Sequence, residues 1–425
     1  MTSWCRTILI NVTMVSVALA PLTGFAEPAA LPPLSLSVLL EEARKANPEI
    51  RAARARWDAA QQRVPLATGL PAPRIGIELE EIPRGTLKVD QATTIFSLLQ
   101  TLPFPGKLSL RHRVALKEAQ EAAAMFKQTE WEVLTQVKAA YNDLFLLDRQ
   151  REIAEERTRW ARPSAAAARA RYATGAAPQR DALQAEAELL TLANDLAVLH
   201  HRRDAAAAHL NHLLDREGHA ATAAPGPIPL APVPGDPETL MAQALTQQPA
   251  LLAAQFAAER AEAAWRLSKR ELWPDFETML ALRNPAMGPI GPWDLSLALA
   301  LPFWFWTKQR YGVKVAVADQ ASAAAAYQAM RRGVERQIHE HWHEASAAYG
   351  SAALAQDRLI PLARQAVASA MAAYEGGRGS FTDMTAALQA LAQRQDDYYR
   401  QVVSVEQHVA MLEQAVGVSL RGGQS

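Results

Sequence analysis

Histidines on one predicted helix are the residues of this sequence best suited to binding a metal ion. His339, His341 and His343 alternate within a long helical pattern. Residues four apart share a helix face, so His339 and His343 could chelate one ion while His341 points away from both. A solvated helix face explains the same spacing, and we favour that interpretation. The sequence therefore predicts no metal site, and His339 and His343 are the candidate pair if one exists.

The sequence contains none of the common catalytic motifs. It has no Gly-x-Ser-x-Gly turn, no Gly-x-Gly-x-x-Gly turn after a predicted strand and no pair of cysteines. Its single cysteine, Cys5, precedes the predicted mature chain. Most carboxylates lie on predicted helices, where they are expected to be solvated or ion-paired. We therefore expect a protein that is not an enzyme and binds no cofactor.

Two aspartates occupy matching positions after glycine turns. Asp181 follows the turn of Tyr172 and Gly175, and Asp383 follows a second turn of the same Tyr-x-x-Gly type. Aspartate near a helix start stabilises that end of the helix. Capping is therefore the favoured role of Asp181 and one of the roles open to Asp383.

The matching turns belong to a duplication that spans most of the chain. Residues recur at a spacing of about 201 positions, and the spacing lengthens by one before the second Tyr-x-x-Gly turn. The recurring pairs include Pro48 and Pro249, Pro73 and Pro274, Lys107 and Lys308, Val133 and Val334, and Tyr141 and Trp342. We expect a first repeat over residues 27–220, a proline-rich linker over 221–237, a second repeat over 238–417 and a C-terminal tail over 418–425.

Each repeat is predicted to open with an amphipathic helix and a hairpin of two strands. The opening helices are expected to begin at caps, Ser37 in the first repeat and Asp236 in the second. The strands are predicted at about 74–80, 91–102, 276–283 and 293–301. The last strand alternates leucine with small or polar residues, which is typical of a strand with one apolar face.

Long alanine-rich helices are predicted after each hairpin. The first runs from about residue 108 to 172, and as one continuous helix it would extend roughly 100 Å. Pro163 and Pro361 are expected to kink these helices, since proline removes a backbone donor. Returning helices are predicted at about 180–214 and 382–416.

Charge and hydropathy restrict where the protein can act. The 44 basic and 44 acidic residues balance, which excludes the basic surface of a nucleic-acid-binding protein. Residues 1–26 have the basic start and apolar middle of a secretory signal peptide. Beyond them no stretch of about 18 apolar residues could span a bilayer as a helix, so a membrane role would require strands.

The ordered double set of motifs resembles a known family. Asn47-Pro48 and Gln248-Pro249 mark the opening helices, Leu102-Pro103-Phe104 and Leu301-Pro302-Phe303 follow the hairpins, and each Tyr-x-x-Gly turn precedes an aspartate. Over residues 36–417 this arrangement resembles the outer-membrane efflux proteins, the TolC-type channels of tripartite pumps. The resemblance implies a homotrimer whose twelve strands form an outer-membrane barrel above a long periplasmic barrel of helices.

The resemblance also implies partners and functional residues. The partners are a periplasmic adaptor (membrane-fusion) protein, an inner-membrane RND-type transporter and outer-membrane lipid of a Gram-negative cell. The helical hairpin tips would dock the adaptor, and the residues placed there are Tyr172, Gly175, Tyr374, Gly377 and Arg378. Asp383 and Asp181 would line the pore gate, where carboxylates facing a narrow pore concentrate cations. For Asp383 the gate and the cap are equally favoured. Ala386 stands where some relatives carry a further acidic residue.

The resemblance does not identify one cargo. The short mature N-terminus, the modest size and the end soon after Gly417 resemble the heavy-metal cation efflux branch. Multidrug efflux and type I secretion channels are the alternatives within the family. A soluble periplasmic coiled-coil scaffold and a periplasmic metal-binding protein are the alternatives outside it.

Overall fold

The structure is a computed structural model that describes residues 34–82, 92–284, 291–301, 303, 306–376 and 378–421. The predicted signal peptide (1–26), Gly377 and the last residues of the predicted tail lie outside the described residues. The fold is mainly helical with one four-stranded sheet, which confirms the predicted fold class. Among the helices described, none carries an apolar stretch long enough to cross a membrane.

The elements follow one another in the same order in both halves. The first half contains α1 (Leu36–Ala46), α2 (Pro48–Leu66), β1 (Arg74–Glu80), β2 (Thr93–Leu102), α3 (Lys107–Ala173) and α4 (Gln179–Leu213). The second contains α5 (Pro237–Gln247), α6 (Pro249–Arg270), β3 (Asp275–Asn284), β4 (Trp293–Ala300), α7 (Gln309–Leu354), a π-helical turn (Ala355–Leu359), α8 (Ile360–Glu375) and α9 (Phe381–Val416).

Each repeat opens with two helices, although the sequence pattern predicts one. The break falls at Asn47 and at Gln248, because a residue before proline avoids the helical conformation. The side chain of Asn47 accepts from the backbone N–H of Glu49 and Ile50, and so caps the second helix. Ser37 lies inside α1 rather than at its cap, which corrects the prediction, whereas Asp236 caps α5 as expected.

The strands form one antiparallel sheet in the order β1-β2-β3-β4. The pairing of β2 with β3 joins the two repeats, because it matches Phe96 with Leu282 and Leu98 with Leu280. Both outer strands, β1 and β4, have a free edge within the described residues. The sheet is therefore open, with β1 of the first repeat at one edge and β4 of the second repeat at the other.

The long helices differ between the repeats. The first, α3, has 67 residues without a break, and Pro163 lies inside it. Its counterpart is divided by the π-helical turn just before Pro361, so a change of helix type accompanies one proline and not the other. A π-helical turn holds one more residue than an α-helical turn, since its hydrogen bond spans five residues. Along this helix the spacing between equivalent residues of the two repeats lengthens by one residue. The π-helical turn therefore accommodates one inserted residue in the second repeat.

The apolar core is duplicated residue by residue. In the first repeat Leu39, Ala43, Val133, Val137 and Leu210 are buried together. Their counterparts in the second repeat form a separate core cluster and are Leu240, Ala244, Val334, Ile338 and Leu412. Both cores lie where the opening helix meets the middle of the long helix and the end of the returning helix. The duplication seen in the sequence is thus a duplication of packing.

Candidate functional site

One face of the sheet is apolar and exposed. Leu295 and Leu297 of β4 are 69% and 70% exposed, and Ile75 of β1 is 81% exposed. The register places these side chains on one face across all four strands, together with Ile77, Leu79, Phe96, Leu98, Leu102, Phe276, Leu280, Leu282, Trp293 and Leu299. An exposed apolar surface of this size on a folded chain indicates contact with lipid or another protein.

The opposite face of the sheet carries mostly polar or small side chains and an ion-pair network. Arg283 of β3 contacts Glu80 of β1 at 2.9 Å and Asp294 of β4 at 3.3 Å. The network connects both edge strands to a central strand. The two faces therefore differ as expected when one meets an apolar medium and the other meets water.

A buried lysine holds the sheet on the helices. Lys107 begins α3, and its Nζ lies 2.7 Å from Asp275 Oδ1 and 2.8 Å from the carbonyl oxygen of Trp273. Asp275 also accepts from the backbone N–H of Phe104 at 2.7 Å. The lysine of the first repeat thus fixes the start of the second hairpin. The recurrence of Lys107 as Lys308 was visible in the sequence, but this contact was not.

The two helical hairpin ends pack against each other. Tyr374 stacks edge-on against Phe381, and the Arg171 guanidinium lies 5.1 Å from the Tyr374 ring centre. Ala165, Ala168 and Ala185 of the first hairpin share a core cluster with Phe381 and Met384 of the second. Tyr172, in contrast, is exposed, so the two tyrosines of the repeated turn have different environments.

The turns themselves are held by backbone hydrogen bonds. Gly175 adopts φ +71°, the left-handed conformation that ends α3, and its N–H bonds to the carbonyl of Tyr172 at 2.9 Å. In the second hairpin the N–H groups of Arg378 and Gly379 both bond to the carbonyl of Ala373 at 2.9 Å. Arg378 is exposed beside this turn, where a partner could reach it.

The two tip aspartates differ in their contacts. Asp383 forms a capping box, because its Oδ2 lies 2.7 Å from Ser380 Oγ and its own N–H bonds to Ser380. Asp181 lies in the first turn of α4, where a carboxylate stabilises the helix start as the sequence predicts, but it makes no capping hydrogen bond. The reason is Pro178 at the cap position, since proline has no N–H for the carboxylate to accept from. Asp181 Oδ1 is buried without a hydrogen-bond partner in the described chain, 3.6 Å from Arg180.

A groove runs between α3 and the helices of the second hairpin. It consists of adjoining cavities of about 580 Å³ and 320 Å³. Trp160 of α3 and Met371 of α8 line both cavities, and Tyr374 closes the end nearest the hairpin tip. Trp160 is 44% exposed within it. The lining of the larger cavity is mainly apolar and also includes the charged residues Glu156 and Arg159.

The structure separates the histidines of α7. His339 and His343 lie on one face, with ring centres 6.5 Å apart, as the spacing predicts. His341 faces α9, where its Nδ1 lies 3.4 Å from Nδ1 of His408. Burial and the neighbouring His408 lower the pKa of His341. No cluster of three or more metal-ligating residues occurs in the part of the chain described. Sequence reasoning missed His408, because it lies on a different helix.

Buried polar residues at equivalent positions hold the segments that follow α4 and α9. Glu413 is 3% exposed, contacts Lys138 of α3, and accepts from the backbone N–H of Leu420 at 2.9 Å. Asn211 is fully buried and donates to the carbonyl of Ala220 at 2.9 Å. Nothing in the sequence pattern indicates these roles apart from the positions of both residues near the ends of predicted helices.

An apolar exposed sheet that continues into helices of roughly 100 Å is the fold of outer-membrane channels. VceC of Vibrio cholerae has this fold with a TM-score of 0.78 at 17% identity, over 91% of this chain and 97% of that chain. CusC, whose structures address transmembrane channel formation, gives 0.77 at 16%, over 94% and 99%. The CmeC outer membrane channel of Campylobacter jejuni gives 0.75 at 13%, over 97% and 96%.

The family is shown by the sequence itself. The model of the outer membrane efflux protein family matches residues 39–216 and 240–418, one match for each repeat. The chain belongs to the outer membrane efflux protein family, whose members are channels and not enzymes. No curated protein sequence matches the chain.

Proposed function

We propose that three copies of this chain form the outer-membrane exit duct of a tripartite efflux system. The duct passively conducts substrates, chiefly heavy-metal cations, from an RND-type pump and a periplasmic adaptor to the outside of a Gram-negative cell. The observation that carries the proposal is the open sheet with one apolar exposed face. The proposal requires no cofactor.

The sheet and one layer of helices are both open, and each has one end in the first repeat and one in the second. The sheet begins at β1 and ends at β4, and the helices α2, α3, α6 and α7 pack in that order. If β4 pairs with β1 of the next copy and α7 packs against α2 of the next copy, the contacts between copies are of the same kind as those inside one chain. There β2 pairs with β3, and α3 packs against α6. Since open strand edges cannot face lipid, this closure supports a ring of several copies.

The sheet face supports insertion into the outer membrane. A charged residue on a lipid-facing strand costs about 2–4 kcal/mol near the bilayer centre, and little on the opposite face. Leu297 and Ser296 are neighbours on β4 and lie on the apolar and the polar face. We expect Leu297→Arg to reduce the outer-membrane fraction of the protein strongly and Ser296→Arg to leave it near the wild-type amount.

Membrane fractionation and light scattering in detergent test the proposal directly. The expected result for the wild-type protein is a trimer that needs detergent to stay in solution. A fully soluble monomer would overturn the channel and favour the periplasmic scaffold. Equal effects of the two arginine variants would overturn the assignment of the apolar face to lipid.

The groove and the hairpin tips are proposed to dock the periplasmic adaptor. The support is a groove lined by the exposed Trp160 and by Met371, which reaches one of the predicted docking residues, Tyr374. The other predicted docking residues are Tyr172, Gly175, Gly377 and Arg378. We expect Trp160→Ala to weaken adaptor pull-down at least about tenfold, since aromatic residues dominate interfaces. Met125→Ala, at an exposed site of α3 away from the groove, is the matched control.

Asp383 and Asp181 are proposed to form the pore gate. For Asp383 the carboxylate also caps α9, so charge and cap must be tested separately. Asp383→Asn removes the charge and keeps an acceptor, whereas Ser380→Ala removes the cap partner and keeps the charge. Single-channel recording is expected to show weaker block by multivalent cations only in Asp383→Asn. Weaker block in Ser380→Ala alone would assign Asp383 to capping.

A cationic cargo is supported by carboxylates at the hairpin ends and by histidines on α7, both of which attract metal ions. A strain that lacks the gene is expected to become sensitive to zinc, cobalt, cadmium or copper. Sensitivity to a panel of drugs with unchanged metal tolerance would instead identify a multidrug duct.

A further inference from the structure

The pairing of His341 with His408 is the one close histidine contact between helices in the described chain that the channel proposal does not use. Their Nδ1 atoms are 3.4 Å apart, and their ring centres are 5.5 Å apart. The nitrogens are closer than the rings, so the two Nδ1 atoms face each other. A separation of 3.4 Å is at the weak end for a hydrogen bond, since N–H···O bonds are usually about 2.7–3.2 Å long.

The same separation fits a shared metal ion. Two imidazole nitrogens bound to one tetrahedral Zn²⁺ at about 2.0–2.1 Å are about 3.3–3.4 Å apart. Imidazole is a good ligand for zinc, copper and nickel. Both rings are half-buried, so they are held by α7 and α9 and still reach solvent. Water could therefore complete the coordination.

The charged side chains near His341 are compatible with a cation bound between the two histidines. Glu340 and Glu344 act on His341 with favourable sign for a cation, and Arg336 acts against it. Arg336 is paired with Glu340 at 2.5 Å, so the charges of these two side chains largely offset each other. The carboxylate of Glu344 then remains as a charge of favourable sign for a cation at His341.

The first repeat shows that this contact is not needed for packing. The positions equivalent to His341 and His408 are Ala140 and Ala206, and both belong to the apolar core region of the first repeat. Alanine is thus compatible with this helix contact. The second repeat carries two imidazoles where the fold works with two methyl groups.

We propose that His341 and His408 form a two-histidine site for a divalent transition-metal ion, with water as the remaining ligands. The site links α7 to α9 in each chain. It does not depend on the cargo of the channel, and it differs from the His339 and His343 pair that the sequence suggests.

Equilibrium dialysis of the purified full-length mature protein in detergent against Zn²⁺ tests the site. We expect one Zn²⁺ per chain, with a dissociation constant at least about tenfold higher in His341→Ala and in His408→Ala. The matched control is the double variant His339→Ala with His343→Ala, which keeps the binding. His341→Ala and His408→Ala are expected to fold, because alanine occupies the equivalent positions of the first repeat. The control variant is expected to fold because His339 and His343 are both exposed.

A second measurement links binding to the two helices. Zn²⁺ should raise the melting temperature of the wild-type protein, since binding to the folded state stabilises it by mass action. The rise should be lost in His408→Ala. Absence of Zn²⁺ binding, binding unchanged in both single variants, or loss only in the control variant would overturn the proposal.

Discussion

The two repeats have the same buried apolar residues and different polar residues at the ends of their helices. Leu39, Val133 and Leu210 of the first repeat correspond to Leu240, Val334 and Leu412 of the second, and all are buried. Even the hydrogen bonds that fix the entering segments recur: Tyr141 donates to the carbonyl of Leu34. Trp342 donates to the carbonyl of Gly235 at 3.1 Å.

Several of the differences between the repeats lie near the ends of the helices. Asp215 corresponds to Gly417, Asn211 to Glu413, and Pro178 to Ser380. The two repeats therefore keep the same buried core residues, while the polar residues at the ends of their helices have diverged. It also provides internal controls, because each position can be changed in both repeats.

The largest effect is expected at the residue that follows the returning helix. Gly417 and Asp215 both adopt positive φ, +83° and +56°. A Cβ at Gly417 would lie 2.6 Å from the carbonyl oxygen of Gln247, whereas Asp215 is open enough to pair with Arg51. We expect Gly417→Ala to lower the free energy of unfolding by about 3 kcal/mol or more, and Asp215→Ala by about 1 kcal/mol.

Denaturant unfolding of the detergent-solubilised protein, followed by circular dichroism, measures both free energies. Equal losses in the two variants would show that the backbone approach at Gly417 relaxes without cost.

The next effect concerns the buried polar residues near the ends of the returning helices. Glu413 has a charged partner, Lys138, whereas the equivalent Asn211 is neutral. Lys138→Met should lower the free energy of unfolding by about 3 kcal/mol, because it leaves a buried carboxylate without its cation. Asn211→Ala should cost about 1–2 kcal/mol, the loss of a neutral buried hydrogen bond.

A double variant separates charge from packing in that comparison. Adding Glu413→Gln to Lys138→Met removes the unpaired charge and keeps an acceptor for the N–H of Leu420. We expect it to recover most of the lost stability in the same unfolding measurement. No recovery would mean that the lysine acts through its aliphatic stem.

A smaller effect is expected at the hairpin tips. Ser380 and Asp383 form a capping box, and Pro178 prevents one at Asp181. Ser380→Ala should destabilise the start of α9 by about 1 kcal/mol, and Pro178→Ser should stabilise the start of α4 by up to about 1 kcal/mol. Hydrogen exchange of the first-turn amides measures both changes. Faster exchange of α4 in Pro178→Ser would contradict the role given to the proline.

The sequence was sufficient for most elements and for the repeat. Period-two alternation predicted β4 closely, and uninterrupted helical patterns predicted α3 to within a residue or so at each end. The sequence pattern did not predict the break at Asn47, because the apolar spacing continues through Pro48 although a residue before proline avoids the helical conformation. It could not show that His341 meets His408 or that Lys107 meets Asp275, because these contacts depend on how distant helices and strands pack.

The smallest effect is expected where the repeats differ by one residue. The π-helical turn Ala355–Leu359 accommodates the residue by which the second long helix exceeds the first. Deleting Asp357, which is exposed, should convert the turn to an α-helical turn and change the free energy of unfolding by about 1 kcal/mol or less.

Deleting the equivalent Glu156 from the unbroken α3 should lower the free energy of unfolding by several times as much. It rotates the following helix by about 100°, which removes Ala165 and Ala168 from their core contacts. Denaturant unfolding with hydrogen exchange of α9 compares the two deletions. If they cost the same, the π-helical turn does not compensate for an inserted residue, and the spacing of the repeats must be explained by a different alignment.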